Sequence, residues 1–192
     1  GWDDQMATKT DIANMKAVIR EAMEEGAFGL STGLDYPPGN YANTDELIQL
    51  SKQVNDLGGI YHTHVRYGLG DRHLDPFKEA IEIGKRSDVP VHITHFYQRA
   101  PSKRGGHSLL RLVEDSHEAG QDITFDSYPY IYGSTRLLIV FPDWAHNGGP
   151  EKLKTVLGSE EGRKRLRKEI EPRSTSWHDM WLTYFKRPHN HK

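Results

Sequence analysis

Val91-His92-Ile93-Thr94-His95-Phe96 follows Val89-Pro90 as a short apolar run that closes on a Thr-His pair. Upstream, Ile60-Tyr61-His62-Thr63-His64-Val65-Arg66 has the same construction. Each stretch reads as a short buried strand followed by a loop and then a helix, with Thr-His where the strand should stop. The expectation is that His64 and His95 end two neighbouring parallel strands and aim their imidazoles at one metal ion. Strand ends of this kind carry the βα loops where barrel active sites gather, and imidazole suits zinc. Side chains alternate faces along a strand. His62 and His64 therefore share a face, whereas His92 and His95 lie on opposite faces of a regular strand. At most one of the latter two can join a shared inward site, and His95 is the candidate because it sits at the C-terminal end. One strand-end histidine alone is ordinarily a hydrogen-bonded core or surface residue; its recurrence in successive units is the reason to read a metal site.

The flanking sequence supplies the rest of the units. Thr10 or Asp11 is expected to cap a helix reaching about Glu25, in which Ile12, Met15, Val18, Ile19, Ala22 and Met23 recur at helical spacing before Gly26. Ala27 to Thr32 reads as a central strand, and Gly33 to Asn43 as a loop dense in turn formers. A second helix begins at Thr44 and ends at Gly58-Gly59, ahead of the strand Ile60 to Val65. Leu74 to Lys85 is the third helix, with Pro76 in its first turn. Val89 to His95 is the third strand, Ser108 to Ala119 the fourth helix and Asp122 to Asp126 the fourth strand. Phe96 to Gly106 is a polar loop carrying Gln98, Arg99, Lys103 and Arg104. Pro150 to Leu157 and Glu160 to Ile170 look helical, the second a solvated charged face.

Strand and helix alternate at roughly 30-residue spacing, which implies parallel βα units because parallel strands need crossover helices. The fold is therefore α/β, either part of a TIM-like (β/α)8 barrel with about four units or a small open doubly wound sheet. No glycine-rich phosphate loop follows any strand, which argues against a nucleotide-binding open sheet. The chain is expected to be one catalytic-barrel piece, with units over about residues 10–145 and a helical tail over about 150–192.

The 192 residues suffice for a sizeable core. A hydrophobic content of 35% and mean hydropathy of −0.74 describe a rather polar but globular chain. The net charge of −2 offers no attraction for nucleic acid or an anionic membrane. With no cysteine, any metal must be held by histidine, carboxylate or a modified lysine. No apolar run reaches the roughly 20 residues that span a bilayer, no signal-peptide pattern is present, and a cytoplasmic location is expected. Both ends look cut.

The chain resembles the N-acyl-D-amino-acid deacylases (D-aminoacylases) of the amidohydrolase superfamily, and specifically their central part. The stretches that carry the resemblance are Gly26 to Gly39 (Gly-Ala-Phe-Gly-Leu-Ser-Thr-Gly-Leu-Asp-Tyr-Pro-Pro-Gly), Thr63-His64-Val65-Arg66, Ile93-Thr94-His95, Asp126 to Thr135 (Asp-Ser-Tyr-Pro-Tyr-Ile-Tyr-Gly-Ser-Thr) and Pro142 to Gly149. The resemblance implies a metal-centred amidohydrolase barrel binding one or two zinc ions, with His64 and His95 as ligands. It implies that Tyr128 and Ser134 hold the substrate carboxylate by neutral hydrogen bonds, with Arg66 also in the substrate site. It implies hydrolysis of a C–N amide bond in a small N-acyl amino acid or related amide. The first-strand histidines, the group completing the metal site and the catalytic aspartate of the last strand are expected outside these residues. No catalytic residue is then assigned within the chain, and the chain alone is expected to be inactive.

Two positions depart from the family pattern. Thr94-His95-Phe96-Tyr97 stands where the family commonly has Ser-His-His-Lys, and Arg66-Tyr67-Gly68 where it commonly has Arg-Asn-Glu. These changes keep open a cyclic-amide hydrolase of the dihydroorotase or hydantoinase kind, as well as a non-catalytic module with packed histidines. Open barrel edges also invite an oligomer. Asp126 reads as a strand-end carboxylate fixing a loop, Asp35 as a loop residue, Asp45 as a helix-start residue, and His62 and His92 as packed. His73, His107, His117, His146, His178, His189 and His191 match no ligand spacing.

Overall fold

The computed structural model describes residues 2, 5–98, 106–130 and 134–170. Arg99, Lys103, Arg104, His178, His189 and His191 lie outside the described residues. Among the described residues, no helix is long and apolar enough to cross a membrane.

The chain divides into two compact units, Gly1–Ile139 and Val140–Lys192. The first holds α1 (Lys9–Glu24), β1 (Gly29–Gly33), α2 (Thr44–Asn55), β2 (Ile60–His64), α3 (Asp75–Ser87), β3 (Val91–Ile93), α4 (His107–Glu118) and β4 (Ile123–Phe125). The four strands form one parallel sheet in the order β1-β2-β3-β4. A doubly wound sheet reverses its strand order at a switch point. This one advances without reversal, as consecutive units of a barrel do. The open-sheet alternative is thereby set aside.

Burial explains the layering. On β2, Tyr61 and Thr63 are buried while Ile60, His62 and His64 are not. The buried side packs with Leu47 and Val54 of α2, Phe77, Ala80 and Ile83 of α3, and Leu109 and Val113 of α4 in a single core. The other side of the sheet carries Ile60, 43% exposed, and the histidines. On the core side, Thr32 Oγ1 lies 2.8 Å from both the Tyr61 hydroxyl and Thr63 Oγ1, tying β1 to β2.

α2 begins at Thr44 as expected and α3 and α4 within one residue of expectation, whereas the start of α1 lies earlier. Thr8, not Thr10 or Asp11, caps α1; Asp11 is its capping-box partner, accepting from the Thr8 N–H at 2.8 Å. Asn43, one residue before Thr44, caps α2 through the N–H of Glu46 at 2.9 Å. β3 is shorter than Val89 to His95, ending at Ile93. His95 adopts φ +40°, in the left-handed region, which no regular strand accommodates.

The second unit contains α5 (Asp143–His146), α6 (Pro150–Gly158) and α7 (Glu160–Ile170) around Ala145, Val156 and Leu166. The charged α7 is mostly solvated, as its composition predicts. Its Arg165 guanidinium lies 3.7 Å over the Trp144 ring, and Trp144 donates to Glu169 at 2.9 Å.

Candidate metal centre

Two imidazoles meet at the C-terminal edge of the sheet. Nδ1 of His64 lies 2.9 Å from Nε2 of His95. The ring centroids are 4.5 Å apart, edge to face at 79°. His64 is the last residue of β2, and its position follows from strand alternation. His95 arrives differently. The ladder continues through Thr94 N–H to Thr63 O at 3.0 Å; the chain then turns, and the left-handed backbone at His95 swings its ring toward His64. The alternation rule therefore does not govern His95. Asp126 holds the turn by accepting the His95 N–H on Oδ1 and the Thr94 hydroxyl on Oδ2 at 3.0 Å.

Asp35, expected to be an ordinary loop residue, bonds His64. Its Oδ2 lies 3.0 Å from His64 Nε2, with both side chains only 11% exposed. A carboxylate at Nε2 fixes the proton there and leaves the Nδ1 lone pair directed at His95. Carboxylate-backed histidine is a common arrangement behind metal ligands. The donor chemistry thus fits a zinc ion held by His64 Nδ1 and His95 Nε2. The clue in sequence was position: Asp35 lies just beyond a strand end, in the Gly33 to Asn43 loop.

Aromatic residues wall this pair. Tyr36 and Tyr67 stand 5.1 and 5.3 Å from the His64 ring, and Tyr67 donates to the His95 carbonyl at 3.0 Å. Tyr128 lies 5.5 Å from the His95 ring and stacks on Tyr130 at 5.2 Å. Burial and the neighbouring Tyr97, Tyr130, Tyr36 and Asp126 push the Tyr128 phenol up, so it is a protonated donor at neutral pH. After His95, where the family pattern commonly continues with histidine and lysine, Phe96 packs on Phe77 and Phe125 at 5.1 and 4.5 Å. Tyr97 joins Tyr67 and Tyr128 at 5.8 and 6.0 Å.

Ser134 lines a neighbouring cleft of ≈ 790 Å³ with Gly33, Tyr36 and Thr135. Tyr36 belongs to both places: its hydroxyl lies 2.6 Å from Thr135 Oγ1 while its ring faces His64. Arg66 points elsewhere. It donates to the carbonyls of Asn40 and Ala42 at 2.6 Å each and to Glu79 at 3.2 Å.

His62 and His92, expected to be packed, face one another on the side of the sheet opposite the helices, ring centroids 5.0 Å apart. His92 Nε2 lies 3.1 Å from Asp126 Oδ2 and its Nδ1 2.7 Å from Thr124 Oγ1. Burial opposes ionisation of Asp126, but the His95 N–H, His92 and Thr94 outweigh it and hold its carboxyl below the usual range. Burial, with His92 beside it, lowers the pKa of His62. His73 is buried and bonds Ser108 at 2.8 Å.

No protein-family model matches the chain. Over 132 residues, 68% of its length, it is 40% identical to a D-aminoacylase of Alcaligenes xylosoxydans xylosoxydans. An N-acyl-D-aspartate deacylase of the same organism is 37% identical over 133 residues, and an N-acyl-D-glutamate deacylase 31% over 125. A crystal structure of D-aminoacylase, described as defining a novel subset of amidohydrolases, matches with a TM-score of 0.60 and 36% identity over 68% of this chain and 27% of that one. Another, concerned with the binuclear metal centre of D-aminoacylase, matches with a TM-score of 0.59 and 34% identity. The chain spans only 27%, 26% and 25% of the three curated relatives.

Proposed function

From the kinship of 68% of this chain with the N-acyl-D-amino-acid deacylases of the amidohydrolase superfamily, we propose that it forms part of a zinc-dependent hydrolase acting on N-acyl-D-amino acids. The observation carrying this reading is the 2.9 Å approach of His64 Nδ1 to His95 Nε2 across adjacent parallel strands. In this reading the two nitrogens are half of a coordination sphere whose other donors come from outside the chain. Zinc, when bound, supplies Lewis acidity and an acidified water suited to amide hydrolysis.

The chain's own residues do the remaining work. Asp35 keeps the His64 proton on Nε2. Asp126 pins the backbone turn that aims His95. Tyr128, a neutral phenol 5.5 Å from the His95 ring, donates a hydrogen bond to the substrate carboxylate, and Ser134 does so from the adjoining cleft. Arg66 fastens the Gly33 to Asn43 loop through two carbonyls and so supports Asp35 without touching substrate. Tyr67, which is buried, and Tyr97 against it present aromatic surface beside the histidine pair and favour an apolar or aromatic acyl group or side chain. That preference fits the replacement of the family's lysine by Tyr97.

The test is zinc content together with hydrolysis of N-acetyl-D-amino acids, their L-enantiomers and cyclic ureides by the protein that carries this segment. Zinc and D-selective hydrolysis are expected, and both are lost in His64→Ala/His95→Ala. A double variant keeping both, or turnover confined to cyclic ureides, overturns the reading.

A further inference from the structure

We propose that His62, His92 and Asp126 form a second site for a divalent transition ion of the zinc class, lower than the His64–His95 pair on the face of the sheet opposite the helices. Strand register creates it. His62 and His92 are direct partners in the β2–β3 ladder, and His92 pairs with Thr124 in the β3–β4 ladder. Neighbouring parallel strands set side chains of one face about 4.8 Å apart. Asp126, two residues past Thr124, returns on the same face. One ligand atom from each of His62, His92 and Asp126 lies within 4.8 Å of the other two.

The donors are supported as metal ligands usually are. His92 Nε2 faces the Asp126 carboxylate at 3.1 Å; an ion taken up between them would shift the His92 proton to Nδ1, where Thr124 Oγ1 stands 2.7 Å away to accept it, and free Nε2 as a ligand atom. Thr124 retains an acceptor for its own proton in the Val91 carbonyl at 3.5 Å. Asp126 is oriented by the His95 N–H and the Thr94 hydroxyl. His62 is the telling member. Its Nε2 is buried and has no hydrogen-bond partner among the described residues, a costly state for a polar atom. Turning that ring onto an ion breaks no existing bond. Tetrahedral zinc ligands at about 2.0–2.1 Å from the ion stand about 3.4 Å apart, so donor atoms already within 4.8 Å of one another close by no more than about 1.5 Å.

Two neutral imidazoles and one carboxylate leave open positions on the ion, the donor set of catalytic zinc and of facial-triad metals. Asp126 also connects the levels, because the carboxylate that would bind here pins the backbone of His95.

Zinc titration of the intact chain by calorimetry and native mass spectrometry tests this, with Co²⁺ absorption as a second readout. His62→Ala and His92→Ala should each abolish one zinc equivalent that His64→Ala/His95→Ala retains. Thr124→Val, which keeps side-chain shape, should weaken that equivalent by about 10–100-fold. Circular dichroism of each variant shows that the fold persists. A His62→Ala isotherm superimposable on wild type overturns the inference, as does a single equivalent lost only in the His64/His95 variant. Conversely, a single equivalent lost only in His62→Ala upholds this site while removing the one read under Proposed function.

Discussion

Asp35 Oδ2 sits 3.0 Å from His64 Nε2, on the side of the ring opposite His95. Residues on two different strand-end loops thus share one imidazole. The carboxylate decides which nitrogen carries the proton. Asp35→Asn keeps the shape but can present an amide N–H to Nε2 and reverse the tautomer. Zinc affinity at the His64–His95 pair should fall by about 10–100-fold, with the fold intact by circular dichroism. Calorimetric zinc titration of wild type and variant checks it.

Arg66 and Glu79 form a largely buried pair, with side chains 17% and 5% exposed. Thr44 also donates to Glu79 at 2.9 Å. Arg66→Ala strands a carboxylate and two loop carbonyls, and should cost about 3–5 kcal/mol in urea unfolding. Arg66→Lys restores charge but cannot bridge the same acceptors, and should recover only part of that loss.

Gly29 is fixed by backbone proximity. A Cβ there would meet the Ile60 carbonyl oxygen at 2.0 Å and the Ile60 nitrogen at 2.8 Å. No rotamer relieves a clash with main chain, so β1 and β2 must separate. Gly29→Ala should lower stability by about 3 kcal/mol, read as a shift in the urea midpoint. Hydrogen exchange should show faster exchange at the Ile60 N–H, which bonds Phe28 O at 3.1 Å.

Asp71 organises the start of α3. Its Oδ1 accepts the N–H groups of His73, Leu74 and Asp75 at 2.9, 2.8 and 3.0 Å. Led by the Asp75 and His73 N–H groups, these bonds lower its pKa to about 2. An unfolded aspartate titrates near about 3.9. The folded value is the lower one, so the contribution is fully present above about pH 4. It is lost as pH falls through about 2. Comparing urea unfolding at pH 5 and pH 2.5, Asp71→Asn should show a smaller acid loss than wild type. Equal losses would remove Asp71 from the acid transition.

The four βα units were legible in the sequence because helix and strand periodicity are local properties. Leu47, Leu50 and Val54 repeat at helical spacing, and Tyr61 and Thr63 alternate with His62 and His64. Thr-His at two successive strand ends pointed to His64 and His95 for the same reason. The expected boundaries slipped by a few residues where caps and turns compete, as at Thr8 and after Ile93.

The convergence of particular atoms was not legible. His95 reaches His64 through a left-handed backbone that Asp126 holds from the next strand, 31 residues away. Asp35 becomes the partner of His64, and His62 that of His92, through loop closure and ladder register, which couple residues far apart in the chain. Residue types and their spacing set the architecture; the proton positions and the pairing of donors depend on distances that arise only once the strands lie side by side.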